Sequence, residues 1–284
     1  MRVFEGRLSS LANRILNTFS IKVGARYSIS LGPTNQEMLS FFEKFTPFDN
    51  GHVLIRIGSE NDGGYLVPDD LAGISSCYSP GVGNSWDFEK QLAKGYSIFS
   101  YMLDHTVPEP SGLTSMQKFV SMKLGPFSDS KQFSLKDWME QDQEFGIEND
   151  LMLQMDIEGH EWLCLLATPT SILKQFRVIV IEFHTLPSAS NPWILNQVYN
   201  PVLNRLLDQF DVVHVHPNNY GGGTFRYLGM EFPDAVEVTF HRKDRAKNSL
   251  KLKSLPHPLD RVTVPSQPPV DLSRVFPFSN SVNL

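Results

Sequence analysis

The chain has little of what marks several large classes of protein. Its 284 residues contain only two cysteines, Cys77 and Cys164, each inside an apolar run, and no Cys/His spacing typical of a zinc site. No apolar run approaches the roughly 18–20 residues of a membrane-spanning helix, and no Asn-x-Ser/Thr site for N-glycosylation occurs. These absences disfavour a disulfide scaffold and a transmembrane segment. We therefore expect a cytoplasmic protein whose cysteines are small core residues.

Basic residues are also too few for a nucleic-acid-binding surface. Lysine and arginine total 25 against 31 aspartates and glutamates, which gives a net charge of −6 and an isoelectric point of about 5.7. Proteins bind phosphate backbones through clusters of positive charge, so we expect no nucleic-acid partner. The hydrophobic content of 41% is enough for a sizeable core.

The pattern along the chain divides it into three regions. Residues 1–50 are predicted to be an N-terminal helical segment, in which Thr34 or Asn35 caps a helix. Residues 51–250 are predicted to be the main domain. Residues 251–284 are predicted to be an extended tail, because they hold six of the 19 prolines and proline interrupts helices.

Short apolar strands alternate with helical patterns in the main domain, after a predicted hairpin over residues 52–68. This alternation is typical of an α/β fold with a mostly parallel, doubly wound sheet and helices on both faces. The predicted strands are 74–79, 97–103, 118–124, 151–156, 178–183, 211–216 and 235–241. The predicted helices are 86–94, 134–142, 160–167 and 194–208, the last interrupted by Pro201.

The first strand of this sheet ends in a turn that contains Gly81 and Gly83. Glycines after a strand let the backbone pass close to a ligand. Asp104 lies 21 positions after Gly83, at the end of the next strand, where a carboxylate can accept hydrogen bonds from ribose hydroxyls. The pattern predicts a nucleoside-containing cofactor. An ordinary turn, with Asp104 at the start of a loop, is the alternative.

The residue after this turn narrows the choice of cofactor. A dinucleotide site needs a third glycine at the position of Trp86, and a bulky indole there counts against a pyrophosphate. S-adenosylmethionine has no phosphates and carries a sulfonium cation, which suits carboxylates and aromatic faces. The turn is therefore compatible with S-adenosylmethionine, and its candidate contacts are Asp87 or Glu89, Asp156, Trp86 and Tyr101.

A second group of acids and histidines follows the next strands. Asp156, Glu158 and His184 stand at successive strand ends and are predicted to be catalytic, with His184 or Asp156 as a base toward a hydroxyl. The same groups could hold a divalent cation, in which case Asp156, His184 and His216 would be its ligands. A hydrogen-bonded structural role is the alternative for each histidine taken alone.

Contacts to an acceptor molecule are predicted from two other segments. His216 and Asn218 follow a later strand in the run HVHPNN, and Asn61, Asp62 and Tyr65 lie in the predicted hairpin. Both segments contribute polar side chains close to predicted strand ends, where ligands of open α/β sheets bind.

The segment DIEGHEW, followed by VIVIEFH, resembles the signature of FkbM-type class I methyltransferases. The pieces RIGSENDGGYLVPDDL, SPGVGNSWDFE, YMLDHT, HVHPNNYGGG and VEVTFHRKD are similar to the same superfamily's methyltransferase-like branch, so the resemblance covers about residues 52–243. It implies a Rossmann-like class I methyltransferase fold, with a seven-stranded sheet in the order 3-2-1-4-5-7-6 and the last strand antiparallel. It also implies S-adenosylmethionine as methyl donor and O-methylation of a hydroxyl on a sugar or other small polar acceptor.

One departure from the family pattern leaves other functions open. Class I enzymes usually carry an acid at the end of the first strand, where this chain has Ser79 and Pro80. The absence of that acid favours the alternative of a catalytically inactive binding module with a methyltransferase fold. The retained Gly81, Gly83 and Asp104 favour an enzyme. An NAD-dependent oxidoreductase is a third hypothesis, and Trp86 counts against it.

Overall fold

The protein is described by a computed structural model that covers residues 31–141, 150–251 and 255–272. Most of the predicted N-terminal helical segment and the end of the predicted tail lie outside these residues. Within them, no helix is long and apolar enough to cross a bilayer.

The strands and helices of the described residues follow the predicted alternation. The strands are β1 (Phe48–Asp49), β2 (Leu54–Gly58), β3 (Gly64–Pro68), β4 (Ile74–Pro80), β5 (Phe99–Leu103), β6 (Gln117–Val120), β7 (Lys123–Leu124), β8 (Gln132–Phe133), β9 (Asp150–Met155), β10 (Phe176–Phe183), β11 (Phe210–Pro217), β12 (Thr224–Tyr227), β13 (Met230–Pro233), β14 (Val236–Arg242) and β15 (Leu250–Lys251). The helices are α1 (Asn35–Phe42), α2 (Asp87–Tyr96), α3 (Leu135–Glu140), α4 (Glu161–Ala167), α5 (Thr170–Leu173), α6 (Pro192–Ile194) and α7 (Asn200–Gln209).

A seven-stranded sheet forms the centre of the protein, in the order β11-β14-β10-β9-β4-β5-β6. Numbered along the chain within this sheet, the order is 3-2-1-4-5-7-6. The pairings among β4, β5, β6, β9 and β10 are parallel, and β14 is antiparallel to both of its neighbours, β10 and β11. The predicted class I methyltransferase fold is therefore confirmed by the topology itself.

Alternate residues of the central strands face two separate cores. Ile179 and Ile181 of β10 pack in one cluster with Trp162 of α4, whereas Val178 and Val180 pack in another with residues of α2 and the β2–β3 hairpin. Strands buried on both faces are continuous apolar runs, which is why the sequence pattern was so clear here. Cys77 and Cys164 are free and buried, as predicted.

Two local predictions differ from the structure. The predicted strand 118–124 is split, because β6 ends at Val120 and Lys123–Leu124 pairs with Gln132–Phe133 outside the main sheet. The predicted start of β5 at residue 97 is two residues too early, since Ser97 adopts a left-handed conformation (φ 56°) that ends α2. The predicted cap is confirmed at Thr34, whose side chain forms a capping box with Glu37.

The predicted helix over residues 194–208 contains a π turn, Leu195–Tyr199, immediately before α7. Pro201 is the second residue of α7 and lacks an amide hydrogen. A wider turn N-terminal to the proline accommodates its ring without ending the helix. The chain therefore continues in helical form across the predicted interruption.

The β2–β3 hairpin and the described part of the tail lie beside the sheet edge at which the parallel strands end. The hydroxyl of Thr239 on β14 donates a hydrogen bond to the carbonyl of Leu66 on β3 (2.6 Å). The amide of Asn219 donates to the carbonyl of Val264 (2.9 Å), and Val264 N donates back to Asn219 Oδ1 (2.8 Å). The first bond holds β3 against the middle of the sheet, and the other two hold the tail at Asn219, just after the end of β11. The turn of the hairpin, with Asp62 and Gly63, reaches the carboxyl ends of the strands.

Candidate active site

A cavity of about 530 Å³ opens at the carboxyl ends of β4, β5 and β9. All five residues predicted to contact the cofactor line it, and three residues predicted for catalysis or acceptor contact line it as well. The first set is Gly81, Gly83, Glu89, Asp104 and Asp156, and the second is Asp62, Tyr65 and Glu158. We call this space the glycine-turn cavity.

The absence of a side chain has a different structural consequence at each of the two turn glycines. Gly81 has a φ of +87°, and a Cβ there would lie 1.5 Å from the backbone oxygen of Asp156. Gly83 has a φ of +54°, and a Cβ there would meet nothing within 4 Å. Gly81 therefore allows the turn to pack on β9, whereas Gly83 leaves open space on the cavity side for a ligand.

Asp104 fastens the glycine turn to the end of β5. Its Oδ2 accepts a hydrogen bond from Gly83 N (2.9 Å), and its Oδ1 accepts from the amide and the hydroxyl of Thr106 (2.7 Å each). Each carboxylate oxygen can accept more than one hydrogen bond. Asp104 can therefore shape the turn and still accept a hydroxyl from a ligand in the cavity.

Glu89 is the acid that α2 brings under the glycine turn. Its side chain is 2% exposed, Oε1 accepts a hydrogen bond from the Ser79 hydroxyl, and Oε2 is buried without a partner among the described residues. Burial raises the pKa of Glu89 to about 7, although the hydrogen bond from Ser79 opposes the increase. Asp87, the other predicted candidate, is about half exposed and pairs with Lys90.

A chain of buried polar side chains connects Glu89 to the hairpin. Ser79 Oγ lies 2.7 Å from Gln154 Oε1, and Gln154 Nε2 lies 3.4 Å from the Tyr65 hydroxyl. One hydroxyl proton cannot serve two acceptors, so the opposite orientation of the Gln154 amide satisfies the chain better. In that orientation Tyr65 donates to Gln154, Gln154 to Ser79, and Ser79 to Glu89.

Five acidic side chains and a histidine meet next to this cavity. Nε2 of His184 lies 3.4 Å from Glu182 Oε1, 3.6 Å from Glu158 Oε2 and 4.0 Å from Asp156 Oδ1, and its Nδ1 lies 3.1 Å from Glu161 Oε1. Glu237 lies opposite Glu182 in the pairing of β10 with β14. We call the group of Asp156, Glu158, Glu161, Glu182, Glu237 and His184 the acid cluster.

Glu161 organises this cluster, although it was not among the residues predicted from the sequence. Its side chain is fully buried at the first turn of α4 and accepts hydrogen bonds from the backbone amides of Ile157 and Gly159 (3.1 Å each) as well as contacting His184. It therefore fixes both the turn after Asp156 and the orientation of the imidazole. The signal was present in the sequence, since Glu161 is the second glutamate of the DIEGHE segment.

The electrostatics of the cluster raise the pKa values of Asp156, Glu237 and His184. Burial and the neighbouring Glu182 raise the pKa of Asp156 well above its usual range, although His184 opposes this. Burial, followed by the charge of Glu182, likewise raises the pKa of Glu237. Burial lowers the pKa of His184, but the hydrogen bond to Glu161 and the charges of Glu182, Glu161 and Asp156 prevail and raise it to about 9.

The predicted acceptor residues do not all come together. Asp62 and Tyr65 line the glycine-turn cavity, and Asn218 donates a hydrogen bond to Glu182 Oε1 (2.6 Å). Asn61 uses its backbone oxygen to accept a hydrogen bond from Arg56 (2.8 Å), and its side chain is not part of the cavity wall. His216 lies in a different cavity, near Asp260.

The predicted metal ligands are brought together only in part. Among the described residues, the group whose ligand atoms all lie within 4.8 Å of one another consists of Asp156, Glu161 and His184. His216 does not join it, because β14 separates its strand from β10. Two strand spacings place the backbone of His216 about 10 Å from that of Glu182.

The comparisons with known proteins add distant likenesses. No protein-family model matches this chain, and no curated protein matches it either. The M. capricolum TrmK structure in complex with S-adenosyl-homocysteine has 10% identity and a TM-score of 0.31, over 63% of this chain and 70% of that one. The antibiotic-resistance methyltransferase Kmr has 12% identity and a TM-score of 0.30, over 67% of this chain and 100% of that one.

A single-residue variant of the 16S rRNA (adenine(1408)-N(1))-methyltransferase from Catenulisporales acidiphilia has 12% identity and a TM-score of 0.30, over 66% of this chain and 98% of that one. Likenesses with such low TM-scores carry no argument about what this protein binds or does. The fold is established by the strand order and pairing of the chain itself, which form a class I methyltransferase fold.

Proposed function

We propose that the protein is an S-adenosylmethionine-dependent methyltransferase that modifies a hydroxyl of a small acceptor. The observation that carries the proposal is the buried, unpartnered Oε2 of Glu89 in the wall of the glycine-turn cavity. A buried acceptor without a partner is costly, and a ligand with a cationic donor removes that cost. Glu89 supplies, from α2, the acid that the first strand lacks.

The residues present fit this cofactor better than a dinucleotide. Glu89 would hold a cationic amino group, Asp104 the ribose hydroxyls, and Gly83 would admit the ligand close to the backbone. Glu89, Asp104 and Asp156 place three carboxyl groups in one cavity wall, and those that are ionised would repel a pyrophosphate. The NAD hypothesis is therefore disfavoured by charge as well as by Trp86.

When bound, S-adenosylmethionine would supply a methyl group on a sulfonium centre, and the sulfur would leave as a neutral thioether when an acceptor oxygen takes that methyl group. The chain's own contribution is to position the acceptor oxygen and to take its proton. We assign Asp156 as the base that accepts this proton. Asp156 lines the cavity, and a carboxylate with a raised pKa is a stronger base than one with an ordinary pKa. His184 holds a proton at neutral pH and would therefore stabilise the ionised Asp156 rather than act as the base itself.

A cation bound at the acid cluster is a second role for the same residues. The Nδ1 of His184 is directed to Glu161, so that Nε2 is the nitrogen that faces Asp156 and Glu182. Metal-binding histidines usually direct their other ring nitrogen to a carboxylate in this way. Loss of activity with EDTA, restored by Mg²⁺ or Mn²⁺, would establish that role, whereas unchanged activity would leave Asp156 as a metal-independent base.

The acceptor is proposed to be small and without phosphate groups. The acids near Asp156 and Tyr65 make the electrostatic potential there more negative, which would repel a nucleic acid. These acids are Asp62, Glu158, Glu182 and Glu237. The similar rRNA methyltransferase acts on RNA according to its name, but the acid cluster of this chain is unsuited to such an acceptor. We expect no binding of ribosomal RNA in a filter-binding assay at 150 mM salt.

Isothermal titration calorimetry with S-adenosylhomocysteine and with NAD tests the proposal. We expect saturable binding of S-adenosylhomocysteine and none of NAD. Binding of NAD alone would support an oxidoreductase. Binding of neither compound would refute the proposed cofactor, and a binding module that recognises another ligand would become the better hypothesis.

A further inference from the structure

A second cavity, of about 400 Å³, lies between the end of β11 and the described part of the tail. None of its lining residues belongs to the glycine-turn cavity. Apolar side chains form most of its wall, among them Leu255, Pro256, Val262 and Leu272. We call it the tail cavity. Cavities of this size, with apolar walls and a few polar groups, are typical of sites for small molecules.

His216 provides an unpaired polar group in this wall. The residue is 9% exposed, and both ring nitrogens are buried without a hydrogen-bond partner among the described residues. A neutral imidazole has one donor and one acceptor nitrogen. Buried polar groups are almost always paired, so a histidine that leaves both nitrogens unpaired is suited to a ligand that supplies a donor or an acceptor.

The surroundings of His216 are already organised without it. Asp260 accepts hydrogen bonds from His214 Nε2 (2.8 Å) and from the amide of His257 (2.7 Å), whereas His216 Nδ1 remains 3.7 Å from Asp260 Oδ2. Asp260 therefore has closer partners than His216, whose Nδ1 keeps only the longer contact of 3.7 Å with this carboxylate. The imidazole of His216 is therefore part of the cavity wall and can still form a hydrogen bond with a ligand.

The tail cavity adjoins the acid cluster along the sheet edge. His216 pairs with Glu237, and Glu237 pairs with Glu182, so the three side chains project from the same face in one row. The tail cavity is therefore on the side of the acid cluster away from the glycine turn.

We propose that the tail cavity binds a neutral molecule with an apolar ring body and a hydroxyl group, and that His216 is the hydrogen-bonding partner of that hydroxyl. The wall is mostly apolar, and two of its charged residues, Asp260 and Arg261, already pair with His214 and Glu60. A neutral ligand therefore fits better than a highly charged one. The hydroxyl pairs with Nε2 of His216, the ring nitrogen that has no contact with Asp260, either as donor or as acceptor. Binding in the tail cavity does not require methyl transfer, so the proposal can be tested without an activity assay.

The test uses 1-naphthol, with naphthalene as the same ring body without the hydroxyl. Each compound is titrated into ¹⁵N-histidine-labelled protein, and the ring-nitrogen resonances of His216 are followed by NMR. We expect saturable displacement of these resonances by 1-naphthol, with an affinity roughly tenfold higher than for naphthalene, which is the difference that one net hydrogen bond makes. Equal affinities, or no displacement at His216, would overturn the proposal.

Three variants assign the binding to this cavity. His216→Phe should reduce the affinity for 1-naphthol to that for naphthalene, and Val262→Trp should abolish the binding of both compounds by filling the cavity. His105→Phe makes the same exchange in the glycine-turn cavity and should leave both affinities unchanged. An unreduced affinity for 1-naphthol in His216→Phe, or a reduced affinity in His105→Phe, would place the compound elsewhere.

A variant that does not fold would lose binding for a trivial reason, so the folding of each variant is checked. Thermal unfolding of each variant is measured first, and His216→Gln, which retains a donor and an acceptor, replaces His216→Phe where the latter does not fold. His216→Gln should keep the preference for 1-naphthol over naphthalene. Equal affinities of the folded His216→Gln protein for the two compounds would count against a polar contact at this position.

Discussion

Replacing Glu89 by glutamine separates a role in binding from a role in folding, because the two effects have opposite signs. The carboxyl is buried, its Oε2 is unpartnered, and burial raises its pKa to about 7 against an ordinary value of 4.5. A pKa that is raised in the folded state favours the protonated form there. The stability that this contributes is present below pH 4.5 and is lost as the pH rises through 7.

The difference between these two pKa values corresponds to about 3 kcal/mol of unfolding free energy. The wild type should therefore lose up to this amount, relative to Glu89→Gln, between pH 4.5 and pH 8. Chemical denaturation of both proteins across this range measures the difference. The variant should be the more stable protein at pH 8, because its neutral amide is buried in place of a carboxylate.

Binding should change in the other direction. A cationic amino group pairs with the ionised carboxylate, so the apparent affinity for S-adenosylhomocysteine should fall roughly tenfold from pH 8 to pH 6 in the wild type. Glu89→Gln should bind roughly 10–100 times more weakly at pH 8, which is the loss expected for one charge-assisted hydrogen bond. Its affinity should also depend less on pH over this range.

Calorimetric titrations at pH 6, 7 and 8 test these values. Asp87→Asn removes an exposed acid two positions away on the same helix and should change neither the affinity nor its pH dependence by more than a few tenths of a kcal/mol, as is usual for surface substitutions. If Glu89→Gln binds S-adenosylhomocysteine as tightly as the wild type and with the same pH profile, the reasoning about Glu89 is refuted.

Three further predictions concern the turn and the acid cluster. Gly83→Ala should fold, with an unfolding free energy lower by about 1 kcal/mol because alanine disfavours the left-handed conformation, and should bind S-adenosylhomocysteine more weakly. Gly81→Ala should be strongly destabilised, because its Cβ meets the Asp156 carbonyl. Equal melting temperatures for the two variants would contradict this. The raised pKa of His184 contributes stability that is present below pH 6.5 and is lost as the pH rises through about 9. The unfolding free energy of the wild type relative to His184→Asn should therefore fall by up to about 3 kcal/mol across that window. Parallel pH profiles of the two proteins would show that the neighbouring acids do not stabilise the protonated imidazole. Asp156→Asn should reduce the rate of methyl transfer by about 10²–10⁴ with little change in donor affinity, and an unchanged rate in single-turnover measurements would remove Asp156 from the chemistry.

Much of the fold could be predicted because it depends on local patterns. The strands β5, β9 and β10 are mostly apolar, and the ends of these runs are marked by a change from apolar to polar residues. Asp104, Asp156 and His184 could be assigned to one edge of the sheet on this basis, since parallel strands end at the same edge. The antiparallel β14 and its place between β10 and β11 were predicted only through the family resemblance.

The choice between Asp87 and Glu89 shows where the sequence stops being informative. Two residues apart on a helix differ in direction by about 200°, so only one of them can face the cavity. The pattern of apolar residues in α2 was too short to decide which one. In the structure Glu89 lies under the turn beside Ser79, and Asp87 lies in solvent with Lys90.

The sequence by itself determined the strand–helix alternation, the glycine turn and the residue types at the strand ends, because each of these is encoded within a few consecutive residues. Only the tertiary structure decided which of those side chains meet. Glu161 folds back on its own turn to reach His184, 23 positions away, and His216 is separated from His184 by the insertion of β14. These contacts depend on strand order and side-chain direction, which are set by the packing of distant segments, and no local pattern contains that information.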